Sequence, residues 1–152
     1  MPTMNGFASL AIVLGLVAVS TAIGLLWRAR TGRVRNRADA RTIVTAAGVG
    51  SPHPFGPAAT LLQFSTEFCA PCRSTAVVLG ELSAERDGVA HVEIDLTERP
   101  ELAREYNILQ TPTTFLVDGS GIVRARIGGA PRRDDLRAAL DDLIGRSHVA
   151  TA

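Results

Sequence analysis

The chain has 152 residues, 46% of them hydrophobic, and a formal net charge of +1. That length holds one domain and an appendage, and so small a net charge argues for no particular partner. All 16 basic residues are arginine; their cluster near the N-terminus lacks the interleaved aromatics or module of a nucleic-acid binder, so no nucleic acid is expected.

Phe7 to Trp27 carries no charge. A helix of about twenty residues spans the roughly 30 Å hydrocarbon of a bilayer, and Trp27 ends this one as interfacial tryptophans do. A cleaved signal peptide would have a basic start, a shorter apolar core and a small-x-small site. Here residues 1–6 hold no Lys or Arg, and arginines follow the core directly. A buried core helix would show a polar stripe, and none is visible. Residues 1–27 therefore read as a segment carrying a retained single-pass membrane helix. Arg28, Arg30, Arg33, Arg35, Arg37 and Arg41 follow it, opposed only by Asp39. Positive flanks stay in the cytoplasm, so the rest of the chain is expected on the cytoplasmic, reducing side. Contact of these arginines with anionic headgroups would follow.

Residues 28–57 read as a linker, Arg-rich and then Gly/Pro-rich. Thr42 to Thr45 is a candidate short strand; Gly48, Gly50, Pro52, Pro54, Gly56 and Pro57 break anything longer. Leu61, Leu62 and Phe64 then form an apolar run that predicts a buried strand. Ser65-Thr66-Glu67 stops it, and the two cysteines of the chain follow, Cys69 and Cys72, with Ala70 and Pro71 between them. After Arg73 the pattern turns helical through Val78, Leu79 and Leu82. The C-x-x-C thus sits at a strand-to-helix junction. Unpaired N–H groups and the dipole at a helix start favour negative charge, so a thiol there gains thiolate character. Cys69, before the helix, is the expected exposed nucleophile. Cys72, one turn in, is expected to be buried and to resolve the mixed disulfide. Pro71 presets the first turn.

A strand is predicted over Val89 to Leu96, a helix opened by Pro100 with Leu102 and Tyr106 inward, and a strand from Thr113 to Val117. Asp118-Gly119-Ser120-Gly121 reads as a hairpin turn and Ile122 to Ile127 as the returning strand. Pro131 opens an amphipathic helix through Leu136, Leu140, Leu143 and Ile144. Residues after Gly145 are expected to fray, with 147–152 as a tail.

The stretch F-S-T-E-F-C-A-P-C-R resembles the active site of the thioredoxin family, whose usual form is F-W-A-x-W-C-G-P-C-K. The resemblance continues in H-V-E-I-D at 91–95, in Thr111-Pro112-Thr113 and in Ile127-Gly128 before a last helix. It implies an α/β thioredoxin-like fold over residues 58–146, a mixed central sheet with helices on both faces. It implies a cis proline at Pro112, with Thr111 offering its backbone to a bound polypeptide. Phe68 stands where the family has tryptophan, and Ser65 where it often has another aromatic. Arg73 matches the family's basic residue, either favouring the thiolate or standing as a solvated charge. Gln63 replaces the family's buried aspartate and His91 its lysine. His91 is therefore a candidate base for Cys72, direct or through a water, with Gln63 orienting the ring; the alternative is a structural polar pair.

The function expected is a membrane-anchored thiol–disulfide oxidoreductase reducing protein disulfides. It needs no cofactor beyond the Cys69–Cys72 dithiol and an electron donor to regenerate it. An extracytoplasmic protein acting on exported proteins or apocytochromes is one alternative. A binding module without turnover is another. Zinc needs about four ligands, and beyond the cysteines only His53, His91 and His148 are on offer, so no metal is expected. Inert buried thiols are the remaining alternative.

Overall fold

The computed structural model describes residues 6–34 and 42–150. Arg35, Arg37, Asp39 and Arg41 of the basic flank lie outside the described residues, as do residues 1–5 and 151–152. The chain divides into two units, the first ending at Thr31 and the second opening at Gly32.

The first unit is a helix, α1 (Gly6–Arg30). Its stretch Ala8–Trp27 is long and apolar enough to cross a membrane, by length and composition. Thr21 donates its hydroxyl to the Val17 carbonyl at 2.7 Å, so that polar group is satisfied inside the helix.

The second unit runs β1 (Ala59–Ser65), α2 (Ala70–Ala84), β2 (Val89–Asp95), α3 (Pro100–Glu105), β3 (Thr113–Asp118), β4 (Val123–Gly128) and α4 (Arg133–Ala150). The sheet order is β2-β1-β3-β4; β1–β2 is parallel, β1–β3 and β3–β4 antiparallel. Leu62, Phe64, Val92, Ile94, Phe115 and Val117 face one side with Leu102 of α3. Leu61, Leu116, Ala125 and Ile127 face the other with Leu79 and Leu82 of α2 and Leu136 and Leu140 of α4. With both faces covered, β1 is buried at every residue, which is why its sequence is an apolar run rather than an alternation. Phe64 meets Tyr106 at 5.9 Å and Phe115 at 5.1 Å between ring centroids.

Several expectations change. The candidate strand over 42–45 is a single bridge, Ile43 to Ile122. After it the chain makes one helical turn, Val49 N–H donating to the Thr45 carbonyl at 3.1 Å. The segment 42–57 is not a loose linker: Val44 and Val49 are buried on the α3 face, with Phe55 packed beside them. Gly56 reads as a breaker in sequence, yet a Cβ there would stand 2.4 Å from the Ala59 carbonyl oxygen and 2.6 Å from that of Gly88. Close backbone approach is its role. The last helix begins at Arg133, after Pro131, and continues past Gly145 to Ala150. Glycine inside a helix costs only about 1 kcal/mol against alanine, and no proline follows to stop it.

Candidate active site

The site lies where β1 ends and α2 begins. Cys69 is the N-cap of α2 in extended conformation, Pro71 falls in the first helical positions, and the first turn carries no acidic residue. Nothing on the helix itself therefore offsets the positive end of its dipole. The Cys72 N–H donates to the Cys69 carbonyl at 3.0 Å, and Cys69 and Cys72 are joined as a disulfide with Cα atoms 5.2 Å apart. Cys69 is 8% exposed and Cys72 2%, so in the oxidised pair even the outer sulfur's residue is largely covered. Arg73 is exposed and Phe68 stands out at 92% exposure.

Three short bonds fix the turn before Cys69. Leu96 N–H donates to the Ser65 carbonyl at 2.9 Å, Glu67 N–H to Thr97 Oγ1 at 3.1 Å and Thr97 N–H to Asp95 Oδ1 at 2.7 Å. From the other side comes the turn before β3. The Thr111–Pro112 peptide is cis, the Pro112 carbonyl accepts from Gly129 N–H at 2.7 Å, and Thr113 Oγ1 donates to the Gln110 carbonyl at 2.8 Å. Thr111 Oγ1 lies 3.3 Å from Thr66 Oγ1, tying this turn to the cysteine turn. Leu109, two residues earlier, is 86% exposed. Sequence reasoning passed over Thr66 and Leu109; an apolar residue just ahead of a Thr-Pro turn was the available signal for the latter.

Beneath Cys72 sits Gln63, fully buried. Its Nε2 donates to the Cys72 carbonyl at 2.9 Å and to Glu93 Oε1 at 3.3 Å, and its Oε1 lies 3.2 Å from His91 Nε2. A backbone carbonyl only accepts, so the amide nitrogen must face Cys72, and Gln63 Oε1 must be the atom facing His91. His91 therefore carries its proton on Nε2 and donates to Gln63. The two residues paired in the sequence reading do meet, but the nitrogen that His91 turns toward Gln63 is a donor, not a base. Burial pushes the His91 pKa below its ordinary 6.5, against the opposing charge of Glu93. Glu93 went unnoticed in sequence, where it looks like the solvent-side residue of an edge strand. Two more hydroxyls on this face, Thr75 and Thr114, are buried without a hydrogen-bond partner among the described residues. Among those residues no group of three or more His, Cys, Asp or Glu is placed to hold a metal. The redox group is the disulfide itself.

A cysteine pair spanning the first turn of a helix, at the end of a central strand of a mixed α/β sheet, defines a thiol–disulfide redox domain. Residues 57–142 match the thioredoxin family model, and the chain belongs to that family. Thioredoxin C-2 of Corynebacterium nephridii is 38% identical over 85 residues, 55% of this chain and 78% of that one. Thioredoxin H5 of Oryza sativa subsp. japonica is 31% identical over 83 residues; the match spans 55% of this chain and 60% of that protein, less than two thirds of its length. Among solved structures, a thioredoxin from Nicotiana alata aligns with a TM-score of 0.50 and 27% identity, over 57% of this chain and 73% of that one.

Proposed function

We propose that the protein is a membrane-anchored thiol–disulfide oxidoreductase that reduces disulfides of polypeptide substrates at the cytoplasmic face. The observation that carries this reading is the Cys69–Cys72 disulfide at the acid-free N-terminus of α2. In the reduced protein the Cys69 thiolate attacks a substrate disulfide, releasing one substrate thiolate and forming a mixed disulfide. Cys72 then attacks Cys69, the second substrate sulfur leaves with its electron pair, and the pair is oxidised. An electron donor, unidentified, returns two electrons to the pair. The exposed apolar side chains of Phe68 and Leu109 and the backbone at Thr111 offer the surface for an extended substrate segment.

Anchorage is supported by the length and apolarity of Ala8–Trp27, and cytoplasmic placement by the arginines that follow it. The test has two arms. The full chain in detergent, with dithiothreitol as donor, is expected to reduce insulin, and Cys72→Ser to trap mixed disulfides that Cys69→Ser does not. A phosphatase fused after Ala152 is expected to be inactive in cells. No insulin reduction by the parent chain would overturn the enzyme reading in favour of a binding module. An active phosphatase would reverse the topology.

A further inference from the structure

We propose that Glu93 is the proton acceptor for the Cys72 thiol when that thiol resolves a mixed disulfide; this rests on the exchange reading above. Resolution needs Cys72 as thiolate, and burial disfavours the charged form of a thiol. Something near it must take the proton. Gln63, whose amide donates to the Cys72 backbone carbonyl, has no titrating group. His91 presents a donor nitrogen to this cluster, by the accounting that the Cys72 carbonyl imposes. The remaining member is Glu93, whose carboxylate oxygen lies 3.3 Å from the same Gln63 nitrogen that reaches the Cys72 carbonyl at 2.9 Å. One amide group links the carboxylate to the backbone carbonyl of Cys72.

The surroundings fit proton traffic. Glu93 is on β2, an edge strand, and its exposed side chain can pass the proton on to solvent. Thr75, one turn along α2 from Cys72, and Thr114, opposite Gln63 in β3, are buried without a hydrogen-bond partner among the described residues, so the helix start faces polar groups rather than a sealed apolar core. Other ionisable groups around Glu93 are engaged or turned out. Asp95 on the same strand accepts from Thr97. On α2, Glu81 pairs with Arg133 and Arg73 is exposed. β1 contributes no charge. The step balances: the bond between Cys69 and the substrate sulfur breaks, the Cys69–Cys72 bond forms, the substrate sulfur leaves as thiolate, and the Cys72 proton goes to the Glu93 carboxylate.

The test uses the full chain, reduced, in detergent. Reaction with dithiobis(nitrobenzoate) releases one thionitrobenzoate on attack by Cys69 and a second on resolution by Cys72, so one stopped-flow trace reads both steps. Glu93→Gln keeps an acceptor for Gln63 and removes the base. It is expected to slow the second release roughly tenfold or more near neutral pH, with the first release within about twofold of the parent. Glu93→Asp is expected to recover part of the rate. A second release at the parent rate in Glu93→Gln would overturn the proposal, as would an equal loss in His91→Gln. No release at all from the parent chain would sink the exchange reading, and this proposal with it.

Discussion

The two faces of the sheet are built from alternate residues of the same strands, yet they differ where the cysteines begin. The α3 face has an apolar centre, where Leu62 and Phe64, Val92 and Ile94, Phe115 and Val117 close around Leu102, with Thr60 and Thr113 buried toward the strand ends and the Arg126 guanidinium over the Phe115 ring. The α2 face starts the same way, with Leu61 and Leu116 against Leu79, Leu82, Leu136 and Leu140. Toward the first turn of α2 it turns polar, with Gln63 on β1, His91 and Glu93 on β2, Thr114 on β3 and Thr75 on the helix. A buried polar group left unpaired costs about 1–3 kcal/mol, so stability alone would favour valine over the unpartnered threonines Thr75 and Thr114. Both faces carry an apolar core that holds the fold together. At the end of the α2 face some of that apolar packing gives way to Gln63, His91 and Glu93, which bond to one another and, through Gln63, to the Cys72 carbonyl.

The widest break in the comparison comes from Phe64→Ala. Phe64 is fully buried and sits in ring contact with Phe115 and Tyr106. Its removal is expected to cost about 3–5 kcal/mol of stability while exchange per folded molecule stays near the parent rate. Urea midpoints should be read by circular dichroism, because the described sheet contains no tryptophan of its own. A drop in the resolution step as large as the Glu93→Gln effect would erase the division of labour between the faces.

A smaller effect sharpens it. Burial holds the His91 pKa below 6.5, so between the lowered value and about 6.5 the unfolded chain binds more protons than the folded one. Stability is then full above about pH 6.5 and declines as the pH falls through that window. His91→Gln keeps a donor for Gln63 but does not titrate. Its urea midpoint is expected to fall less than the parent's between about pH 7.5 and about pH 5.5. An identical fall in both would place His91 outside the buried cluster.

Much of this arrangement was legible in the sequence because it follows from local rules. The apolar run through Leu61, Leu62 and Phe64 predicts a strand covered on both sides, and Pro71 and Pro100 mark helix starts where a missing N–H costs nothing. What escaped depends on which way a side chain turns. Val44 and Val49 sit in a stretch punctuated by glycine and proline, so their burial is visible only once the sheet exists for them to cover. Glu93 alternates with Val92 and Ile94 as a solvent residue would, and nothing local says that its carboxylate reaches back to Gln63. The direction of the Gln63–His91 bond is likewise set by a third group, the Cys72 carbonyl, which no pairwise reading of the two residues supplies.

The order in which the reduced thiols react tests the central claim most directly. If Cys69 at the helix start is the nucleophile and Cys72 lies guarded over the polar cluster, iodoacetamide near neutral pH will alkylate Cys69 well before Cys72 in the reduced full chain, as read by peptide mass mapping over time. Alkylation of Cys72 first, or of both at one rate, would contradict the account.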